Sequence, residues 1–235
     1  MHPFLSGITA TMLYIIIAAG AVFSARVFIR IPDELFRKIL HFVLLGVYFP
    51  VIFAFEAWWM AVVFAVLLIV IFFPVLALFE KLPMFSSFVN ERKHGEFKSS
   101  LVLAMGMMAC SITVCWGLLD DKLLVLACIY AWGVGDAFAA LIGKPFGKHK
   151  IRWRFADGKK SVEGSCAMFL CPAVSVLMVL LARGGIGIPL CLGISVLTAV
   201  VCTFAELCSK NGLDTVICPT AAMAVILPMV TFCGG

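Results

Sequence analysis

Residues 133–164, GVGDAFAALIGKPFGKHKIRWRFADGKKSVEG, place a carboxylate, Asp136, inside an apolar run, follow it with a cationic loop, and end on a second acid, Glu163. In a hydrocarbon environment each of these polar groups costs free energy and calls for a reason. Asp136 has two readings. It is either a buried acid paired with a lysine to fix helix packing, or a hard-cation ligand, since Mg2+ favours one or two carboxylates together with substrate phosphates. Gly133, Gly135, Ala137, Ala139, Ala140 and Gly143 around it permit close helix contact, which both readings need. The loop 143–160 holds three glycines and seven Lys or Arg. Anchoring on anionic lipid accounts for the charge. It does not account for the glycines, or for Gly158-Lys159-Lys160-Ser161 before a helix start. There, backbone N–H groups and ammonium groups would suit a phosphate. The spacing is not that of a Walker A loop.

Three more groups join this stretch. Arg37-Lys38-x-x-His41 puts a cation and an imidazole on one helical face, with snorkelling as the plain alternative for Arg37 and Lys38. Glu206 and Asp214 flank the last inter-span connection. Glu91-Arg92-Lys93-His94-Gly95-Glu96 has the character of a solvated loop. Carboxylates for Mg2+ and cations for phosphates suggest phosphoryl or nucleotidyl transfer, which rests on positioning and charge stabilisation. The expected chemical groups are Asp136, Lys160 and His41. The expected phosphate contacts are Lys144, Lys148, Lys159, Lys160, Ser161, Arg37 and Lys38. The expected metal ligands are Asp136, Glu163, Glu206 and Asp214.

The elements that must position these residues are membrane spans. The chain of 235 residues is 63% hydrophobic and 13% charged, with about half the charged fraction of a soluble domain. Its mean hydropathy is +1.13. Apolar segments recur at about 5–25, 39–55, 57–79, 100–119, 123–142, 162–182, 186–205 and 215–233, which predicts an all-α, polytopic bundle of about eight transmembrane helices. Pro74 is expected to kink the third. With both termini outside, every Lys and Arg except Lys122 and Arg183 falls on the cytoplasmic side, as the positive-inside rule requires. The extreme N-terminus lacks the cations of a secretory leader, so the first segment is expected to be retained. One membrane-embedded domain, 1–235, is expected, with its core at 133–164 and contributions from 37–41 and 206–215. The site would face the cytoplasm. The net charge of +5 sits on membrane-flanking loops, which argues against a nucleic-acid partner in favour of membrane lipids; an oligomer is compatible with the sequence. The ten cysteines lack Cys-x-x-Cys spacing and read as small packing residues.

GDAFAALIGKPFGKHKI followed by DGKKSVEGSCAMF resembles the core of the CTP-dependent lipid kinases: dolichol kinase, phytol kinase and the CTP-dependent diacylglycerol kinase. ELFRKILHF resembles the Arg-Lys-x-x-His element of that group. Glu206 with LDTVICPTAA resembles its C-terminal element, with Thr215 standing where Asn is expected. The resemblance implies transfer of the terminal phosphate of CTP to the hydroxyl of a membrane lipid alcohol, either a polyprenol, dolichol or phytol type or diacylglycerol. It implies Mg2+ as cofactor. CTP rather than ATP is implied by the resemblance alone. Phosphatidate cytidylyltransferases are similar in the Asp…Gly…Lys-Lys…Glu-Gly stretch but end in a Lys-Asp…His-Gly-Gly…Asp-Arg-x-Asp signature that this chain lacks. They form the alternative, and a transporter or scramblase forms a third reading, against which the one-sided placement of the acids weighs.

Overall fold

The computed structural model describes residues 2–79, 96–151, 160–209 and 212–233. Eight helices in them are long and apolar enough to cross a membrane. They are α1 (Pro3–Phe28), α2 (Asp33–Ala54), α3 (Trp58–Phe79), α4 (Glu96–Ser111), α5 (Lys122–Gly143), α6 (Val162–Arg183), α7 (Ile188–Cys208) and α8 (Asp214–Cys233). A π-helical stretch, Ile112–Leu118, continues α4. A backbone in lipid must satisfy its own N–H and C=O groups, and helices do this within one segment. The expected all-α bundle is therefore the observed one.

The helix ends differ from the hydropathy boundaries where polar residues extend a helix beyond its apolar run. α2 begins at Asp33, six residues before the expected 39. Asp33 and Glu34 occupy its first turn, where acids complement the helix dipole. Arg37, Lys38 and His41 consequently all lie inside α2. α7 runs on to Cys208 and so carries Glu206 in its last turn. Pro74 lies within a continuous α3.

α5 is the central helix, packed against α2, α6, α7 and α8 and against the π-helical stretch. It is buried on every side near its middle, from Leu124 through Ile129 and again at Ala131–Gly133. A helix that is apolar all round belongs inside a bundle. Its closest neighbour is α6. Small residues make that approach possible: a Cβ at Gly135 would lie 2.6 Å from Met168 Sδ and 2.7 Å from Pro172 Cγ, and one at Gly143 would lie 3.1 Å from Gly164 Cα.

Ion pairs sort to the two ends of the bundle. At one end, Asp121 caps α5 by accepting the N–H groups of Leu123 (3.1 Å) and Leu124 (3.2 Å), and its other oxygen meets Arg183 Nε at 2.5 Å. Lys122 lies 4.2 Å over the Trp116 ring there and donates to the Phe55 carbonyl at 3.4 Å. These are the two cations expected on the side opposite all the others. The rest of the described polar pairs lie at the end formed by the α1–α2, α5–α6 and α7–α8 connections, here termed the basic end.

Gly135→Ala should overpack the α5–α6 contact and destabilise by about 1–3 kcal/mol, because Pro172 cannot turn aside. Gly106→Ala, where a Cβ meets nothing within 4 Å, should be neutral or slightly stabilising. Thermal unfolding of the detergent-solubilised protein compares the two.

Candidate functional site

Two largely buried lysine–carboxylate pairs lie at the centre of the basic end. Lys38, on the second turn of α2, places Nζ 2.6 Å from Asp136 Oδ2 on α5. The Lys38 side chain is 6% exposed and that of Asp136 23%. Asp136 thus does pair with a lysine, which is the first of the two readings its position allowed. His41, one turn further along α2, sets Nε2 3.0 Å from the Gly133 carbonyl and 3.9 Å from Asp136 Oδ2. Its ring stands edge-on to Trp132, with centroids 5.3 Å apart. The Trp132 indole N–H is buried without a hydrogen-bond partner.

The second pair joins the start of α6 to the end of α7. Lys160 Nζ lies 3.0 Å from Glu206 Oε1 and also donates to the main-chain carbonyl of Glu206 and, at 3.4 Å, to that of Ser209. The last carbonyls of a helix have no intrahelical partner, and an ammonium group at that position satisfies them and complements the dipole. Asp214, in the first turn of α8, is within electrostatic reach of Asp136, Lys38 and Lys160, and Glu206 is within reach of Asp136. Lys38, His41, Asp136, Lys160, Glu206 and Asp214 therefore share one region, drawn from four helices and the residues just before α6.

The connection between α5 and α6 is tied at its root. The Ile151 N–H donates to the Lys160 carbonyl and the Val162 N–H to the His149 carbonyl, both at 2.9 Å, closing a one-bridge antiparallel clasp. Glu163, in the first turn of α6, completes the clasp. Its Oε1 accepts the backbone N–H groups of Lys148 and His149, each at 3.2 Å, and lies 2.7 Å from the His149 ring Nδ1. The carboxylate expected to share a metal thus also ties the loop. Ser161, expected on phosphate, is the N-cap of α6: its hydroxyl accepts the Gly164 N–H at 3.2 Å and donates to the Gly143 carbonyl at 3.5 Å. Gly147 permits the closure, because a Cβ there would clash with the Gly143 carbonyl and the Ser161 hydroxyl. Lys159 lies outside the described residues, as does most of the loop beyond Ile151.

Arg37 and Lys144 meet on one acid that the sequence reading did not select. Glu34 Oε1 is 2.8 Å from Arg37 Nη2, and its Oε2 contacts Lys144 Nζ. The i,i+3 spacing of Glu34 and Arg37 would have marked the pair had α2 been started at Asp33. Lys148 enters the geometry here through its backbone N–H.

The donor set fits a hard cation only in part. Among the described residues no three His, Cys, Asp or Glu side chains gather as a metal cluster. Asp136, Glu206 and Asp214 supply oxygens in one region, two of them already against lysines. Such a set suits an ion that brings much of its coordination from water and substrate phosphate.

Compared with protein-family models, with curated proteins and with solved structures, the chain matches nothing.

Removing Lys38 should leave Asp136 buried without its counter-charge, at a cost of about 3–5 kcal/mol. Lys38→Met should accordingly lower the unfolding midpoint strongly, and Lys38→Met combined with Asp136→Leu should recover most of the loss. Glu163→Ala should release the clasp, so that limited proteolysis cuts between residues 144 and 160 faster while the helical circular dichroism stays unchanged.

Proposed function

We propose that the chain is a membrane-embedded, CTP-dependent kinase that moves the terminal phosphoryl group of CTP onto the hydroxyl of a lipid alcohol, of polyprenol, dolichol or phytol type or a diacylglycerol. The observation that carries the reading is the pair of lysine–carboxylate contacts, Lys38–Asp136 and Lys160–Glu206, at the same end of an otherwise apolar bundle. Ionisable groups at such depth are expensive and by default functional. One pair suffices to fix a helix interface; two pairs with Asp214 in electrostatic reach make a site of alternating charge. The distribution of Lys and Arg along the chain supports a cytoplasmic position for that end, where a nucleotide is available.

Each group has a task in this reading. Lys160, with Lys144, Lys148 and Lys159, holds the triphosphate, and Arg37 and Lys38 add charge from α2. Asp136, Glu206 and Asp214 would hold Mg2+, which when bound neutralises developing charge on the phosphoryl oxygens. Glu163 and Ser161 shape the loop that carries the lysines. The acceptor hydroxyl oxygen forms its bond to the γ-phosphorus, the bond from that phosphorus to the β–γ bridging oxygen breaks, and CDP leaves. Asp136 has the metal role or, in its place, takes the hydroxyl proton, which otherwise leaves to water, and His41, with Nε2 3.9 Å from Asp136 Oδ2, orients the acceptor. The lipid tail stays among apolar side chains while its head reaches the site. CTP as donor rests on the resemblance of the motifs described above.

Asp136→Asn and Lys160→Ala, assayed as purified protein with CTP, Mg2+ and a panel of lipid alcohols, should each lower turnover by about 100-fold or more. Near-normal turnover in both would overturn the assignment. CDP together with a phosphorylated lipid identifies the kinase; pyrophosphate together with a CDP-lipid identifies a cytidylyltransferase using the same groups. Absence of any nucleotide binding would favour a transporter or scramblase.

A further inference from the structure

The geometry points to Glu34 as an internal counter-ion that occupies the position between Arg37 and Lys144 into which a nucleotide phosphate enters, and that must swing aside for the nucleotide to bind. This rests on the phosphate-binding reading of those two cations and adds the acid that competes for them.

Three observations lead there. First, a single carboxylate touches cations from two helices, Arg37 through Oε1 and Lys144 through Oε2. A carboxylate presents oxygens to guanidinium and ammonium groups much as a phosphate does, so what one satisfies the other can. Second, the two cationic side chains are 44% and 45% exposed, far more than Lys38 at 6% or Lys160 at 16%. Exposed pairs contribute little stability and exchange partners readily, whereas breaking a buried pair costs more. Among these pairs, the one at Glu34 is therefore the one a soluble anion displaces most readily. Third, Glu34 lies in the first turn of α2, where the helix dipole favours negative charge whichever group supplies it. Without nucleotide the single charge of the acid is shared between the two cations; a phosphate arriving with more charge takes both over, and Glu34 rotates toward solvent.

A competing counter-ion lowers the apparent affinity of its site by the fraction of time it is seated. Glu34→Gln keeps the size and removes the competition, so binding of inorganic tripolyphosphate and of Mg-CTP to the full-length detergent-solubilised protein should tighten about fivefold. Glu34→Ala should shift binding the same way. Asp33→Asn changes the net charge equally at a carboxylate that contacts Arg26 at 2.8 Å, so affinity should stay as in the parent protein. Unchanged or weaker binding in both Glu34 variants would overturn the proposal. Equal tightening in Asp33→Asn would overturn it too, because the effect would then be general charge. Tighter tripolyphosphate binding without lipid phosphorylation would support the counter-ion and reject the kinase. Turnover with no change in either Glu34 variant would do the reverse.

Discussion

The contact between Lys38 and Asp136 is the constraint on which the basic end depends. Neither charge could sit alone at that depth, and each is tolerable there only because the other helix delivers its counter-charge at hydrogen-bond distance. The requirement reaches back into the fold. α2 must present Lys38 to α5, and α5 must come close enough to receive it. The glycines on α5 meet that demand. At Gly133 the Leu45 side chain of α2 fills the space where a Cβ would stand, and the Gly133 carbonyl faces His41. One interface thus sets both a charge pair and an imidazole.

A second consequence follows from Lys160. Its ammonium group touches the side chain of Glu206 and the terminal carbonyls of α7, so the beginning of α6 is tied to the end of α7 by a residue that also borders the clasp at His149–Ile151. Helix capping, loop closure and charge placement are one structural act at this point. The polar residues of the region are therefore not separable into architectural and chemical sets, because the groups that could receive a ligand also hold the helices that present them.

Much of this was legible in the sequence because hydropathy and charge are themselves the physics of a membrane protein. The eight spans, the central role of the stretch around Asp136 and the convergence of His41, Lys160, Glu206 and Asp214 on one level all follow from apolar length and the placement of Lys and Arg. Helix ends were less legible. Acids in the first turn of α2 and the last turn of α7 extend helices beyond the apolar run, and hydropathy scores them as loop. That displacement hid Glu34. Pairing was harder still. Nothing in the order of residues says that Glu163 turns to the backbone of Lys148 and His149, or that Ser161 serves as a helix cap, since these depend on how a loop closes in three dimensions. The π-helical stretch at Ile112–Leu118 has no mark in the residue order either; its Gly117 lies against Trp58 of α3, a contact between segments distant in sequence.

The hairpin of α5 and α6 is fastened at both extremities. Arg183 grips the cap of α5 at one end, and at the other Gly143 abuts Gly164 beneath the clasp. A sliding displacement of one helix along the other by a single residue, about 1.5 Å, would break both fastenings at once. The two fastenings therefore hold the two helices in one register, like a rail. α2 through Lys38 and α7 through Glu206 lean on that rail at the basic end. In mechanical terms the bundle has a stator and two arms, and each arm is joined to the stator by a lysine.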